Sequence, residues 1–277
     1  MLAGLRPKNP ALRISSTGFT FCLQGCADLF KFPAHDGIAK KEGSFMYGAY
    51  NGYSNPAEQD YGRQQFLTKT YGTMALGLLI TFVTAWVVAR FFPGIAYNTF
   101  VVFGLLIVEL AIVWSFSRRV QTASYQTVIG MFVFYAALTG VTFSAVFLRF
   151  DMNSIFLCFL MSAAAFGIMA LVGHTTRTDL SPLRGVLIGG LIAVLVMSIV
   201  GMIFGLSSLE IIVCCAGIAI FLGLTAYDTQ KLTQMYDCVA GTELEQKYAV
   251  FGALQLYLDF VNLFDYILIL FGGRRRN

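Results

Sequence analysis

The sequence predicts an all-α integral membrane protein, a bundle of seven spanning helices. Three observations carry that prediction. Hydrophobic residues make up 57% of the 277-residue chain and charged residues 12%. A soluble domain runs near ~45–50% and ~25%, so this charge is too little to coat a soluble surface of this size. After Arg63 the apolar residues fall into runs of about twenty, the length a helix needs to cross the hydrocarbon core. No alternating pattern of strand length points to a barrel, and an open sheet cannot span lipid. The same composition excludes a disordered chain, a collagen and a disulfide scaffold. A net charge of only +4 does not suggest a nucleic-acid binder. The lipid bilayer is therefore the expected partner.

Two regions follow in order along the chain. Residues 1–60 form a polar extension, expected to be disordered, with no run long enough for a signal peptide. Met46 is a candidate alternative start within it. Residues 61–277 form the transmembrane domain, with seven segments at 66–92, 96–116, 124–147, 154–173, 184–205, 208–230 and 251–271. Phe92-Pro93-Gly94 breaks the first from the second, as proline and glycine do. Arg118-Arg119 closes the second segment, and Arg149 with Asp151 closes the third. The stretch from His174 to Pro182 follows the fourth; Asp179 or Ser181 reads as a helix N-cap there, with Pro182 in the first turn. Lys231 to Lys247 is the longest connection. Short connections make sequential helices antiparallel neighbours. Gly185 with Gly189, and Gly201 with Gly205, have the spacing that lets helix backbones approach closely in lipid.

Orientation follows from the basic residues in the loops. With the N-terminus inside, the inner loops carry Arg118 and Arg119, Arg177 and Arg184, and Lys231 and Lys247. The outer loops carry only Arg90 and Arg149. A cytoplasmic N-terminus is the expectation. Arg274–Arg276 oppose it, because seven crossings leave them outside unless the last segment is re-entrant. None of the six cysteines forms a CxxC pair, and His35 and His174 are the only histidines, too few for a structural zinc site. No cofactor is expected.

An ionisable residue at the centre of a span costs about 2.5 kcal/mol or more, so each one is a functional candidate. Four acids qualify: Glu109, Asp228, Asp259 and Asp265. On a helix, Gln255, Asp259, Asn262 and Tyr266 fall within about 60° of one another. A helix with such a polar stripe belongs in the bundle interior or beside a cavity. Asp265 lies off the stripe, and an interfacial place is expected for it. Asp228 precedes Lys231 at the end of the sixth segment, where it either sits among headgroups or pairs with Asp259. Two close carboxylates resist double ionisation and share one proton, so such a pair is able to gate a bundle. Glu109 is a candidate ion-pathway ligand. Its counter-ion candidates, Arg118 and Arg119, lie roughly 14–15 Å along the same helix, too far for a direct pair.

Three stretches resemble the Bax inhibitor-1 (transmembrane Bax inhibitor motif) family, bacterial type, over roughly residues 60–273. They are Thr178-Asp179-Leu180-Ser181, Thr225-Ala226-Tyr227-Asp228-Thr229-Gln230-Lys231, and Ala253 to Phe264 with Gln255, Tyr257, Asp259 and Asn262. The resemblance implies a seven-helix bundle around a central C-terminal helix. It implies a pH-sensitive calcium leak in bacterial members and protection against cell death in eukaryotic ones. It matches the family's paired aspartates to Asp228 and Asp259, its acidic residue to Glu109, and its basic residue to Arg118 or Arg119.

The expected function is a calcium or cation leak gated by proton sharing between Asp228 and Asp259, with calcium and protons as partners and calcium held only weakly and transiently by the two aspartates. Calcium prefers six to eight oxygens, so dispersed carboxylates suit permeation better than storage. The alternative is a regulator that binds another membrane protein, a protease or a channel. An intramembrane aspartyl protease ranks below both: Asp259 lacks a Gly-x-Gly-Asp context and no proline follows Pro182. The chain is not expected to be an enzyme. A bacterial plasma membrane is the expected location, or an organellar membrane if the chain is eukaryotic.

Overall fold

The computed structural model describes residues 56–204 and 207–273, all helix and short connection. The helices are α1 Pro56–Phe91, α2 Pro93–Tyr97, α3 Thr99–Arg119, α4 Tyr125–Arg149, α5 Met152–Thr175, α6 Leu183–Phe204, α7 Ser207–Val239 and α8 Leu244–Phe271. All but α2 are long and apolar enough to cross a membrane. The extension up to residue 55, Met46 within it, and Arg274–Arg276 lie outside the described residues.

Local signals start the helices where the sequence places them. The Asn98 side chain accepts from the amides of Phe100 and Val101 to cap α3, and the Ser124 side chain accepts from Thr127 to cap α4. Both satisfy amides that have no partner within the helix. Asp179 Oδ1 accepts from the Ser181 amide at 2.9 Å, two residues ahead of α6.

Two helices run past their apolar segments. α1 begins at Pro56, so residues 56–60 are helical rather than part of the extension. α7 continues to Val239 and α8 starts at Leu244, which shrinks the connection expected from Lys231 to Lys247 to four residues. These amphipathic turns are held by packing instead of lipid. Leu232, Tyr236 and Val239 recur at helical spacing and are buried. The tilted rings of Phe66 and Tyr236 pack with centroids 5.6 Å apart, and Arg63 Nη2 meets Asp237 Oδ1 at 2.8 Å.

The core is organised by α8. Every residue from Tyr248 to Leu268 is buried. Its neighbours are α1 through Thr81 on Tyr257, α3 through Phe116 on Phe251, α4 through Phe132 on Tyr257 and Phe143 on Phe264, α5 through Phe166 on Phe260, and α7 through Phe221 on Tyr266. Outside this core the bundle is greasy: Leu76, Trp86, Ile107, Phe156, Ile168 and Val186 are exposed on different helices. Such an apolar exterior is what a lipid-facing surface requires. α8 runs unbroken for 28 residues, ~42 Å, so it is not a re-entrant hairpin. Its end is tied to the α4–α5 turn, with Asp151 donating to the Gly273 carbonyl and Gly273 donating to Ser154 Oγ. The C-terminal end of α8 thus lies at the end of the bundle opposite the Arg118, Arg177 and Lys247 loops.

The Gly185–Gly189 spacing of α6 does not make a close approach, and Gly205 of the other pair lies outside the described residues. A Cβ at Gly185 or Gly189 meets nothing within 4 Å, because that face of α6 lies at the rim. The tight crossings are elsewhere. A Cβ at Gly140 stands 2.6 Å from Thr84 Cβ, one at Gly217 stands 2.7 Å from the Tyr266 ring, and ones at Gly173 and Gly252 collide with Ala226 and Leu232.

Candidate functional site

Helical geometry and register locate the two aspartates. Gly217 meets Tyr266 and Gly252 meets Leu232, so facing positions on antiparallel α7 and α8 have numbers totalling 483 or 484. Asp228 is therefore level with residue 255 or 256, three to four residues from Asp259, about 5 Å along the axis. Direction agrees with height. On α7 the contact residues Gly217, Phe221 and Leu232 span about 60° of the helix surface, and Asp228 falls inside that arc. On α8 the contact residues Gly252 and Tyr266 bracket Asp259 in the same way. The two carboxylates thus lie on facing surfaces within about one turn. Asp228 is 5% exposed and Asp259 0%. Burial takes Asp228 out of the headgroup place considered for it, since α7 continues eleven residues beyond it to Val239.

The polar stripe is inside the bundle, as its amphipathicity demands. Gln255, Asn262 and Tyr266 are all buried. Asn262 Nδ2 donates to the Leu258 carbonyl at 2.7 Å, which fixes its Oδ1 away from its own helix. Tyr266 packs its ring on Phe221 and over Gly217. Among the described residues no three His, Cys, Asp or Glu side chains gather into a cage around either aspartate.

Glu109 sits on the other side of α8. Thr142 donates to Glu109 Oε1 at 2.8 Å, and Glu109 is 1% exposed. It interacts electrostatically with Tyr257, whose hydroxyl also bonds Thr139 and lies 2.6 Å from Thr81 Oγ1. Tyr257 points about 160° away from Asp259 around α8. The hydroxyl cluster of Thr81, Thr139, Thr142 and Tyr257 was not legible in advance, because threonines in apolar segments usually bond only their own helix. The structure does not bring Arg118 or Arg119 to Glu109. Both are exposed at the end of α3, and the Arg118 guanidinium lies 3.8 Å over the Trp114 ring.

Asp265 is 1% exposed and lies near the C-terminal end of α8, where Arg149 at the end of α4 interacts with it. The Asp179 carboxyl lies in the exposed α5–α6 loop, held below the usual carboxylate range by hydrogen bonds from Ser181. That is a turn within the loop rather than the expected N-cap, because Ser181 and Pro182 precede α6, which starts at Leu183. The same loop is clamped to α7 by Gln230, whose Oε1 accepts from Leu180 N and whose Nε2 donates to the Thr178 carbonyl, both at 2.8 Å. This joins two of the stretches that carry the family resemblance.

Comparison with known proteins agrees. The family model described as "Inhibitor of apoptosis-promoting Bax1" matches residues 63–276. The chain is 38% identical over 219 residues to "Inner membrane protein YbhL" of Escherichia coli, covering 77% of this chain and 94% of that one. An uncharacterized protein of Borreliella burgdorferi is 36% identical, covering 78% and 94%. The protein RP147 of Rickettsia prowazekii, also uncharacterized, is 34% identical, covering 78% and 92%.

Proposed function

The chain belongs to the Bax inhibitor-1 family, and we propose that it is a pH-sensitive cation leak of a bacterial plasma membrane, with calcium as the permeant ion and Asp228 with Asp259 as the gate. The observation that carries this reading is the placement of two buried carboxylates on facing surfaces of α7 and α8, within about one turn. Sharing one proton, they hold the helices together. Both charged, they repel, and the α7–α8 seam opens. The site needs no resident cofactor and performs no covalent chemistry, so the chain is not an enzyme on this reading. Calcium is substrate, bound weakly and in passing. The N-terminus is cytoplasmic, from the basic loops at that end. The inner-membrane relative in Escherichia coli supports the location.

The test is calcium flux into liposomes holding the purified protein, across roughly pH 5–8, with Asp228→Asn and Asp259→Asn beside the unmodified chain. A pH-dependent flux that loses its pH dependence in both variants supports the gate. Folded protein with no flux above empty liposomes refutes it. The second reading, a regulator of another membrane protein, is favoured by the family's description as an inhibitor. It predicts silence in liposomes and a reproducible co-purifying membrane protein.

A further inference from the structure

The seam between α7 and α8 leaves a row of acceptor oxygens with no hydrogen-bond donor. Gln255 Oε1, Asn262 Oδ1 and Asp265 Oδ2 are each buried without a partner. Their residues are 2%, 0% and 1% exposed. A buried polar atom that nothing satisfies is costly, by about 1–3 kcal/mol each, so natural structures supply water or an ion where the protein supplies no donor. Here the three belong to one helix and one side of it. Asp259 lies on the same helix between Gln255 and Asn262, and successive steps along α8 rise about 6, 4.5 and 4.5 Å. The direction swings by about 120° from Asp259 to Asp265, so the row winds around α8 from the α7 side toward Arg149. The ladder is rich in oxygen acceptors, and the amide nitrogen of Asn262 is directed to the Leu258 carbonyl of its own helix. Oxygen acceptors without donors are the ligands of hard cations and their water.

The far end of the row reaches the end of the bundle where α8 closes against the α4–α5 turn. Arg149 of α4 interacts there with Asp265 of α8, and Cys214 of α7 interacts with Asp265, Glu210 and Cys215. An arginine side chain at a helix C-terminus leans back toward the N-terminal turns, which carries Arg149 toward the level of Asp265.

We infer that Asp265, Asn262 and Gln255 line a wet half-channel for hydrated hard cations, running from the Arg149 end of the bundle past Asp259 to Gln255. This rests on the cation-leak reading and names its route. Arg149 holds Asp265 when no cation is there, and an arriving cation competes with it for the carboxylate. The inference requires water to reach Asn262 from the Arg149 side, whether or not ions then cross.

Thiol labelling tests that access separately from transport. Asn262→Cys is reconstituted and exposed to a small cationic, membrane-impermeant methanethiosulfonate, with modification read peptide by peptide by mass spectrometry. Asp151→Cys, in the exposed α4–α5 turn, is the reactive standard, and native Cys158, buried at 1% exposure, is the inert one. The expected result is reaction at position 262 about tenfold faster than at Cys158. Calcium slows it about twofold when half the sites are filled. In the unmodified protein a water-soluble carbodiimide with glycine ethyl ester also labels Asp265. A folded Asn262→Cys chain as inert as Cys158, together with unlabelled Asp265 in the unmodified protein, overturns the half-channel. Flux in liposomes without labelling puts the ions elsewhere and overturns it too. Labelling slowed by calcium without flux upholds the wet cation site and refutes the leak. Labelling indifferent to calcium leaves structural water only and overturns the cation assignment.

Discussion

Gly217→Ala tests the register on which the site rests. A Cβ there would stand 2.7–2.8 Å from three atoms of the Tyr266 ring, against 3.4 Å for ordinary contact. Something must move by about 0.7 Å, and the ring has little freedom: Tyr266 is 0% exposed and stacks on Phe221. The strain falls on the α7–α8 separation. Overpacking of this kind costs about 1–3 kcal/mol. Gly185→Ala is the control, because a Cβ there meets nothing within 4 Å, and replacing a glycine in the first turn of α6 by alanine stabilises by at most roughly 0.5–1 kcal/mol. Gly252→Ala falls between them, since its clash is with the flexible tip of Leu232. Thermal unfolding in detergent, read by near-ultraviolet circular dichroism, should rank the midpoints Gly185→Ala highest and Gly217→Ala lowest. A Gly217→Ala protein that melts with the unmodified chain would show that α7 and α8 are not in contact there, and the placement of Asp228 opposite Asp259 would fall with it.

Four further outcomes follow from other contacts. Tyr257→Phe removes the hydroxyl shared by Thr81 and Thr139; because Thr81 keeps its bonds to the Gly77 and Ala136 carbonyls, the expected loss is about 1 kcal/mol by denaturant titration. Arg63→Ala breaks the half-buried pair with Asp237 and should cost ~0.5–1 kcal/mol, shrinking in high salt as surface pairs do. Glu109→Gln keeps an acceptor for Thr142 and lies across α8 from Asp259, so liposome flux should retain its pH dependence, unlike Asp259→Asn. Asp179 has a depressed folded-state pKa, with the Ser181 side chain and then its backbone amide as causes; its ordering of the loop is present above about pH 4 and is lost as pH falls through that lower value, so the Ser181 amide resonance should titrate below the midpoint of a free aspartate.

The spans were legible because lipid imposes one rule on all of them: twenty apolar residues, ended by arginine, proline or aspartate. The rule says nothing about helices that leave the membrane. α7 past Lys231 is polar enough to look like a loop, yet Leu232, Tyr236 and Val239 bury one face against α1 and α8. The stripe on α8 was legible because period 3.6 puts Gln255, Asp259, Asn262 and Tyr266 together without any fold. The mate of the stripe was not. Which face of α7 meets α8 depends on Gly217 and on the gap opposite Gly252, and the sequence offered more conspicuous glycines on α6. Arg149 was hidden for a different reason. It looked like the end of a span, and only the parallel course of α4 beside α8 sets it near Asp265.

Glu109 and Asp259 stand at nearly the same height on opposite sides of one helix. Phe116 stacking on Phe251 makes Glu109 level with about residue 258 on α8, beside Tyr257. One side of α8 at that height is a hydroxyl cluster in which each contact has a donor and an acceptor. The other side carries Gln255 Oε1 and Asn262 Oδ1, acceptors that lack donors. A satisfied network rigidifies, and an unsatisfied one admits water or ions. The asymmetry therefore divides the labour of the central helix. The Tyr257 face anchors α8 to α1, α3 and α4, and the Asp259 face is the one that meets α7.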